Sequence, residues 1–178
     1  MQTWAVALRK PVAADAILEI VSAESLDTLF RAHYARLVRA LAVVAGNQET
    51  AADAVQEAFV KAHLHWRRVQ FYEDPVGWIR RVAINRLRDD HRRQSRKQRA
   101  VERLQSDARP ANVEWSDGTD ATAILAALPR QQRLTMALFY VEGLTVVEIA
   151  RTLGISDGTV KFHLHQGRQQ LRGKNVGS

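Results

Sequence analysis

No cysteine occurs in the 178 residues, so disulfides, thiolate zinc sites and thiol redox sensing within the chain are excluded. Nor does any apolar run approach the ~20 residues needed to span a bilayer. No secretion signal is expected either, since Arg9 and Lys10 follow the first apolar residues instead of preceding a long apolar core. Internal repeats and low-complexity tracts are absent. A cytoplasmic chain of one or two domains is expected, each long enough to bury a core.

Acidic excess is lacking too, since the formal net charge is +7. Residues 80–103 hold ten Lys/Arg against three Asp/Glu, and so carry the whole excess while the remainder nets zero. A local basic segment points to contact with a polyanion, the alternative being a merely solvated helix face.

Residues 144–164 read as two short helices joined by a tight turn. Thr145 can cap the first, whose apolar positions Val146, Ile149, Ala150 and Leu153 keep helical spacing. Gly154 stands where that helix must stop, because glycine enters the left-handed conformation cheaply. Ile155 anchors the turn, Ser156 or Asp157 can cap the second helix, and Val160 and Leu164 face inward. This is the pattern of a helix-turn-helix, whose second helix enters the major groove of DNA. Lys161, Phe162, His165 and Gln166 fall on its outer side as base readers. Phe162 suits a thymine methyl and Gln166 an adenine edge. Arg168, further along, suits a phosphate.

Upstream, Leu26, Leu29, Phe30, Tyr34, Leu37, Val38, Leu41 and Val44 keep helical spacing until Gly46. Residues 1–24 carry only weak signals, with room for a helical turn or more within 12–21. Asn47 can cap a second helix that buries Ala52, Val55, Phe59, Ala62 and Trp66. Its other face gathers Glu49, Asp53, Gln56 and Glu57. Like charges at such spacings slightly destabilise a helix. The helix dipole accounts for Glu49 and at most Asp53, which leaves a basic or amide-rich partner as the reason for Glu57. Residues 69–74, with Val69, Gln70, Phe71 and Tyr72, read as a loop. Asp74-Pro75 starts the next helix as N-cap and first residue. There Val76, Ile79, Val82, Ala83 and Leu87 point inward, while Arg81, Asn85, Arg88 and Arg92 form a polar stripe. Aromatic side chains beside an arginine-rich helix suit single-stranded nucleic acid, and Trp78 could serve either the core or the bases.

Residues 106–120 contain Pro110, Gly118 and four acids against one arginine, which marks an acidic linker. Beyond it a helix over 121–128 is expected, then another opened by Pro129 at its first turn, with Leu134, Leu138, Phe139 and Val141 in the core. The final helix should end near Arg172. The fold class expected is all-α: an uncertain extension (1–24), a helical domain (25–105), the linker, and a helix-turn-helix domain (121–174).

In this order the motifs resemble the extracytoplasmic-function (ECF) sigma factors of the bacterial sigma-70 family. The run Asp53-Ala54-Val55-Gln56-Glu57-Ala58-Phe59 is similar to the region that binds the clamp helices of core RNA polymerase. The resemblance therefore implies contact through Asp53, Gln56, Glu57 and Phe59 with the β′ clamp helices, and further contact with the β subunit. Residues 75–89, with Gly77-Trp78-Ile79 and Asn85, resemble the segment that melts and reads the −10 promoter element. In the family the loop before that helix holds a flipped base, which implies Val69, Gln70, Phe71, Tyr72, Trp78, Arg81, Asn85, Arg88 and Arg92 as −10 contacts. Leu128-Pro129, Glu142-Gly143-Leu144, Glu148-Ile149-Ala150 and Gly158-Thr159-Val160-Lys161 resemble the −35 reading domain. Thr145, Ser156, Thr159, Lys161, Phe162, His165, Gln166 and Arg168 would then contact DNA. Family members often carry serine and arginine where this chain has Phe162, His165 and Gln166, so its −35 sequence should differ from the familiar one. The resemblance further implies promoter DNA and an anti-sigma protein as partners, no cofactor and no enzymatic activity.

Two other readings compete. Residues 158–164 also resemble the helix-turn-helix of LuxR-type regulators, which would need a ligand or phosphoacceptor domain and would not need the acidic face. A metal-dependent nucleic-acid enzyme would use His63, His65, His163 and His165, yet His-x-His on a helix points its rings about 200° apart.

Overall fold

In the computed structural model, the described residues 13–104 and 125–175 form helices joined by short turns, with no strand among them. The helices are α1 (Ala13–Ala45), α2 (Gln48–Leu64), α3 (Trp66–Val69), α4 (Pro75–Leu104), α5 (Arg130–Tyr140), α6 (Val146–Leu153) and α7 (Asp157–Asn175). The acidic linker and most of the helix expected over 121–128 lie outside the described residues, as do residues 1–12. Leu125 and Ala126 are helical and lead into the turn before Pro129.

Four alanines set the spacing of the N-terminal unit. Ala51, Ala54, Ala58 and Ala62 recur at helical spacing along α2, and none is more than 2% exposed. A face without bulk lets α1 and α4 approach α2 closely. Leu37 and Leu41 of α1 and Ile79 and Ala83 of α4 are fully buried around this seam. Each fully buried leucine or isoleucine stabilises the fold by about 1.5–3 kcal/mol. α1 starts at Ala13, well before the first diagnostic leucine, because no glycine or proline interrupts residues 13–45. Asn47 caps α2 as expected, its Oδ1 accepting from the Thr50 amide at 3.0 Å. α2 ends at Leu64, short of the expected Trp66. At His65 (φ −112°, ψ 16°) the chain leaves α2 and restarts as α3, which keeps Trp66 and Val69 in the core.

The C-terminal unit is a three-helix cluster. Leu134, Ala137 and Leu138 of α5, Ile149 and Ala150 of α6, and Val160 and Leu164 of α7 form its interior. Pro129 is extended (φ −52°, ψ 143°), so it precedes α5 instead of occupying its first turn. The Arg133 guanidinium ties down the preceding turn by donating to the carbonyls of Ala126 (2.6 Å) and Leu128 (2.9 Å). α7 crosses α5 at Gly167, where an added Cβ would lie 3.0 Å from Met136 Cγ. Between the two units, α5 packs on α1 and α6 packs on α4.

Candidate nucleic-acid interface

The helix-turn-helix is built by its caps. Thr145 and Glu148 form a reciprocal capping box: the Thr145 hydroxyl accepts from the Glu148 amide, and Glu148 Oε2 accepts from the Thr145 amide and hydroxyl, each at 2.7 Å. Those hydrogen bonds hold the Glu148 carboxyl below its ordinary pKa. Gly154 (φ 68°, ψ 38°) ends α6, its amide reaching the Ala150 carbonyl, a conformation that a β-carbon would strain. Ser156 is the residue that caps α7, its Oγ accepting from the Thr159 amide at 3.1 Å. The hydroxyls of Thr145, Ser156 and Thr159 are therefore engaged in forming the motif.

On α7 the expected base readers stand outward. Lys161, Phe162 and His165 are exposed, Phe162 at 58%, and Gln166 is half-buried beside them. Val160 and Leu164 are buried on the opposite side. Arg168 has a different neighbourhood: its Nε donates to the Tyr140 hydroxyl at 2.8 Å, and its guanidinium lies over the Phe139 and Tyr140 rings. An arginine stacked in this way is fixed in place with part of its fork still available.

The second surface forms at the start of α4. Asp74 is the N-cap, its Oδ1 accepting from the Gly77 amide at 2.7 Å. Gly77 is required for this cap, because a Cβ there would sit 2.0 Å from Asp74 Oδ2. In the preceding turn Phe71 is 81% exposed, and the Tyr72 ring lies 6.4 Å from that of half-buried Trp78. Trp78 thus belongs to both settings foreseen for it, packed on the core and adjoining the aromatic turn. Arg81, Asn85 and Arg92 follow along the exposed stripe, with Arg88 half-buried and its pKa lowered by burial and by Arg92. Val69 is the exception. At 1% exposure it is the inward residue of α3, so it supports the turn from beneath and does not reach the surface. Substituting Gly77 by alanine should displace the Asp74 carboxylate and loosen the turn, lowering stability by about 0.5–2 kcal/mol. Denaturant unfolding of the variant measures this loss, and Asp74→Ala should lose about as much.

The third surface is the outer face of α2. Glu49, Asp53 and Gln56 are exposed, and Val60 (57%) and Leu64 (70%) extend the face as an apolar strip that sequence reasoning did not single out. Their spacing from Gln56 was the available signal. Glu57 is held by Lys61 at 2.8 Å and by Arg86 of α4, which lower its pKa in that order. Phe59 turns inward at 6% exposure, its ring against Phe30 and Tyr34, so it shapes the face from below.

Sequence reasoning also missed Glu142, named only within a motif. It is 2% exposed, with Oε1 at 3.2 Å from Arg80 of α4 and 3.7 Å from Arg36 of α1. An acid buried at the join of two units could be found only through the fold. Among the described residues, no three His, Asp or Glu side chains converge as a metal site.

Two family models match in the order of these surfaces: Sigma-70 region 2 over residues 29–97 and Sigma-70, region 4 over residues 120–171. The ECF RNA polymerase sigma factor SigM of Mycobacterium tuberculosis is 30% identical over 149 residues, covering 83% of this chain and 75% of SigM. The chain belongs to the ECF RNA polymerase sigma factors. ECF RNA polymerase sigma factor SigE of Mycolicibacterium smegmatis is 36% identical over 170 residues, 89% of this sigma factor but 64% of SigE. This chain thus spans under two thirds of that relative's length. The sigma factor RpoE, solved in complex with the anti-sigma factor NepR from Bartonella quintana, superposes with a TM-score of 0.71 at 18% identity, covering 87% of this chain and 99% of RpoE. CnrH in complex with the cytosolic domain of CnrY gives 0.62 at 23% identity, covering 93% and 100%. These two show the fold, which is all-α as expected. The LuxR-type alternative finds no support, and the region 2 match supplies the half of the molecule that it left unexplained. Sigma factors are non-catalytic regulators. No described helix is long and apolar enough to cross a membrane.

Proposed function

We propose that this sigma factor directs core RNA polymerase to its promoters, with residues 25–105 docking on the enzyme and opening the −10 element and residues 121–174 reading the −35 element. The observation that carries this reading is the joint exposure of three surfaces: the α2 face, the aromatic turn with the α4 stripe, and the outer side of α7. The β′ clamp helices would take Asp53, Gln56 and Glu57, with Val60 and Leu64 beside them, and the β subunit would contact the C-terminal unit. The turn around Phe71 and Tyr72 would receive a base extruded from the non-template strand, whose unstacking costs a few kcal/mol that an aromatic pocket offsets. Asn85 would read that strand, and Arg88 and Arg92 would follow its phosphates. An anti-sigma protein as restraining partner is supported by the complex in which RpoE was solved.

Promoter-specific run-off transcription with bacterial core polymerase, with and without the chain, tests this reading. Transcripts that begin at a defined start only when the chain is present are expected; core polymerase initiating equally well without it would refute the proposal. A finer prediction concerns α7. Gln166→Ala should cost about 1–3 kcal/mol at one base pair of the −35 element and leave other positions little changed. Arg168→Ala should weaken all sequences alike and flatten the salt dependence. A base-substitution scan of the −35 element with both variants checks this. A uniform loss for Gln166→Ala would show that Gln166 reads no base.

A further inference from the structure

Tyr140, the last residue of α5, stands outside the helix-turn-helix but touches its second helix. It is 56% exposed, and its hydroxyl accepts from Arg168 Nε of α7 at 2.8 Å. Phe139 lies edge-on to it, with ring centroids 4.9 Å apart. The Arg168 guanidinium lies 5.6 Å from the Phe139 centroid and 5.7 Å from that of Tyr140. A surface arginine otherwise gives up much rotamer freedom when it grips a ligand. Here two rings and a hydroxyl have placed it beforehand.

The same arginine belongs to a cationic stripe. Lys161, His165, Arg168 and Arg172 follow one another at spacings of four, three and four, so they share one side of α7, and all are exposed. α7 begins at Asp157, which puts Arg168 about three turns along. The N-terminal part of a recognition helix meets the base edges, and residues further along pass the strand backbone.

Both partners keep donors to spare. Among the described residues, no carboxylate pairs with Arg168 and no acceptor takes the Tyr140 hydroxyl proton. A phenol that accepts through its oxygen still has its O–H to donate, and accepting from a cation makes that O–H a better donor. Arg168 spends Nε on the hydroxyl and retains the two terminal nitrogens of its fork. An arginine that serves only to fasten helices turns its fork onto protein carbonyls, as Arg133 does with Ala126 and Leu128. Arg168 does not. A phenol and a guanidinium held side by side, each with free N–H or O–H groups, suit one tetrahedral oxyanion.

We propose that Tyr140 and Arg168 form a clamp for one backbone phosphate of duplex DNA, in which Tyr140 donates its own O–H to the phosphate and holds Arg168 in place. The proposal rests on the reading of α7 as the −35 recognition helix, and it adds a DNA contact from α5. A phosphate contact carries no sequence information but fixes the register of the recognition helix in the groove. The clamp thus sets where along the groove Phe162 and Gln166 meet the bases.

The test neutralises one phosphate at a time. Holoenzyme assembled from the full chain and core polymerase would be bound to promoter duplexes carrying a single methylphosphonate within the −35 element. One position is expected at which this change weakens the parent by about three- to tenfold, as for the loss of one hydrogen bond at a solvated site. Tyr140→Phe keeps the ring and removes only the hydroxyl. It should bind the unmodified duplex about as weakly as the parent binds the modified one, and lose most of its sensitivity at that position. Arg168→Lys keeps the charge without the planar fork and should behave alike, whereas Gln166→Ala should retain the sensitivity. A parent indifferent to every −35 phosphate overturns the clamp. So does full sensitivity in Tyr140→Phe, and a lower unfolding midpoint in that variant would then assign the pair to fastening α5 on α7. A parent that binds a shuffled −35 element as well as the promoter, yet shows a phosphate effect erased by Tyr140→Phe, would refute α7 as the −35 reader and leave the clamp standing.

Discussion

Exchanging Ile149 for alanine is expected to unfold or severely loosen the C-terminal unit and so abolish dependence on the −35 element. Ile149 is fully buried, in the middle of a helix of only eight residues. α6 has no length to spare. Its position is set by Thr145, Gly154 and the packing of Ile149 and Leu153 against neighbours on α5 and α7. An isoleucine truncated to alanine in such a place costs about 2–5 kcal/mol, the transfer term plus the cavity left behind. That is a large share of the stability of a domain of this size. Thermal unfolding should show an early transition assigned to the C-terminal unit. Transcription from promoters that rely on the −35 element should fall to near background, with polymerase binding through α2 retained. Val147→Ala, on the exposed side of the same helix, should leave both nearly unchanged.

The second large effect is expected on polymerase binding. Reversing Glu57 to lysine would put a third cation beside Lys61 and Arg86, so any loss would mix docking with like-charge strain on the fold. Asp53→Lys combined with Glu57→Gln avoids this, because the amide can still accept from Arg86. The pair should weaken association with core enzyme by about 10–100-fold, a range consistent with removing charged partners from an interface. Helical content and unfolding midpoint should change little. Titration of labelled chain with core polymerase measures the effect at fixed salt. Undiminished binding by the double variant would remove α2 as the docking face.

How much of this was legible in the sequence depends on where each signal was stored. Caps and turns are local, and Asn47, Asp74, Thr145 and Gly154 stand as sequence reasoning placed them, because each acts on amides within a few residues. The outward side of α7 was legible for the same reason: helical periodicity separates Val160 and Leu164 from Phe162 and His165. Val69 was given a surface contact by carrying over a motif whole, and so was Phe59, although helical spacing had already turned Phe59 inward; burial divides a motif residue by residue. The break at His65 was invisible because no glycine or proline marks it; Trp66 stays inward by starting a new turn of helix. Glu142 is the instructive miss. Nothing within ten residues of it announces a buried acid, since both of its partners lie more than sixty positions away in the chain.

Under the proposed function, the alanine seam of α2 bears on where transcription starts. Ala51, Ala54, Ala58 and Ala62 hold α2 at one separation from α4, and the Arg86–Glu57 pair ties the outer edges of the same two helices together. The surface proposed to grip the polymerase and the helix proposed to grip the opened strand are thereby mounted at a fixed offset, as two jaws are set on one rule. Widening the seam by a single methylene would move one jaw relative to the other. The error would surface as a drift in the position of the first transcribed nucleotide, in a protein that still folds and still binds both partners.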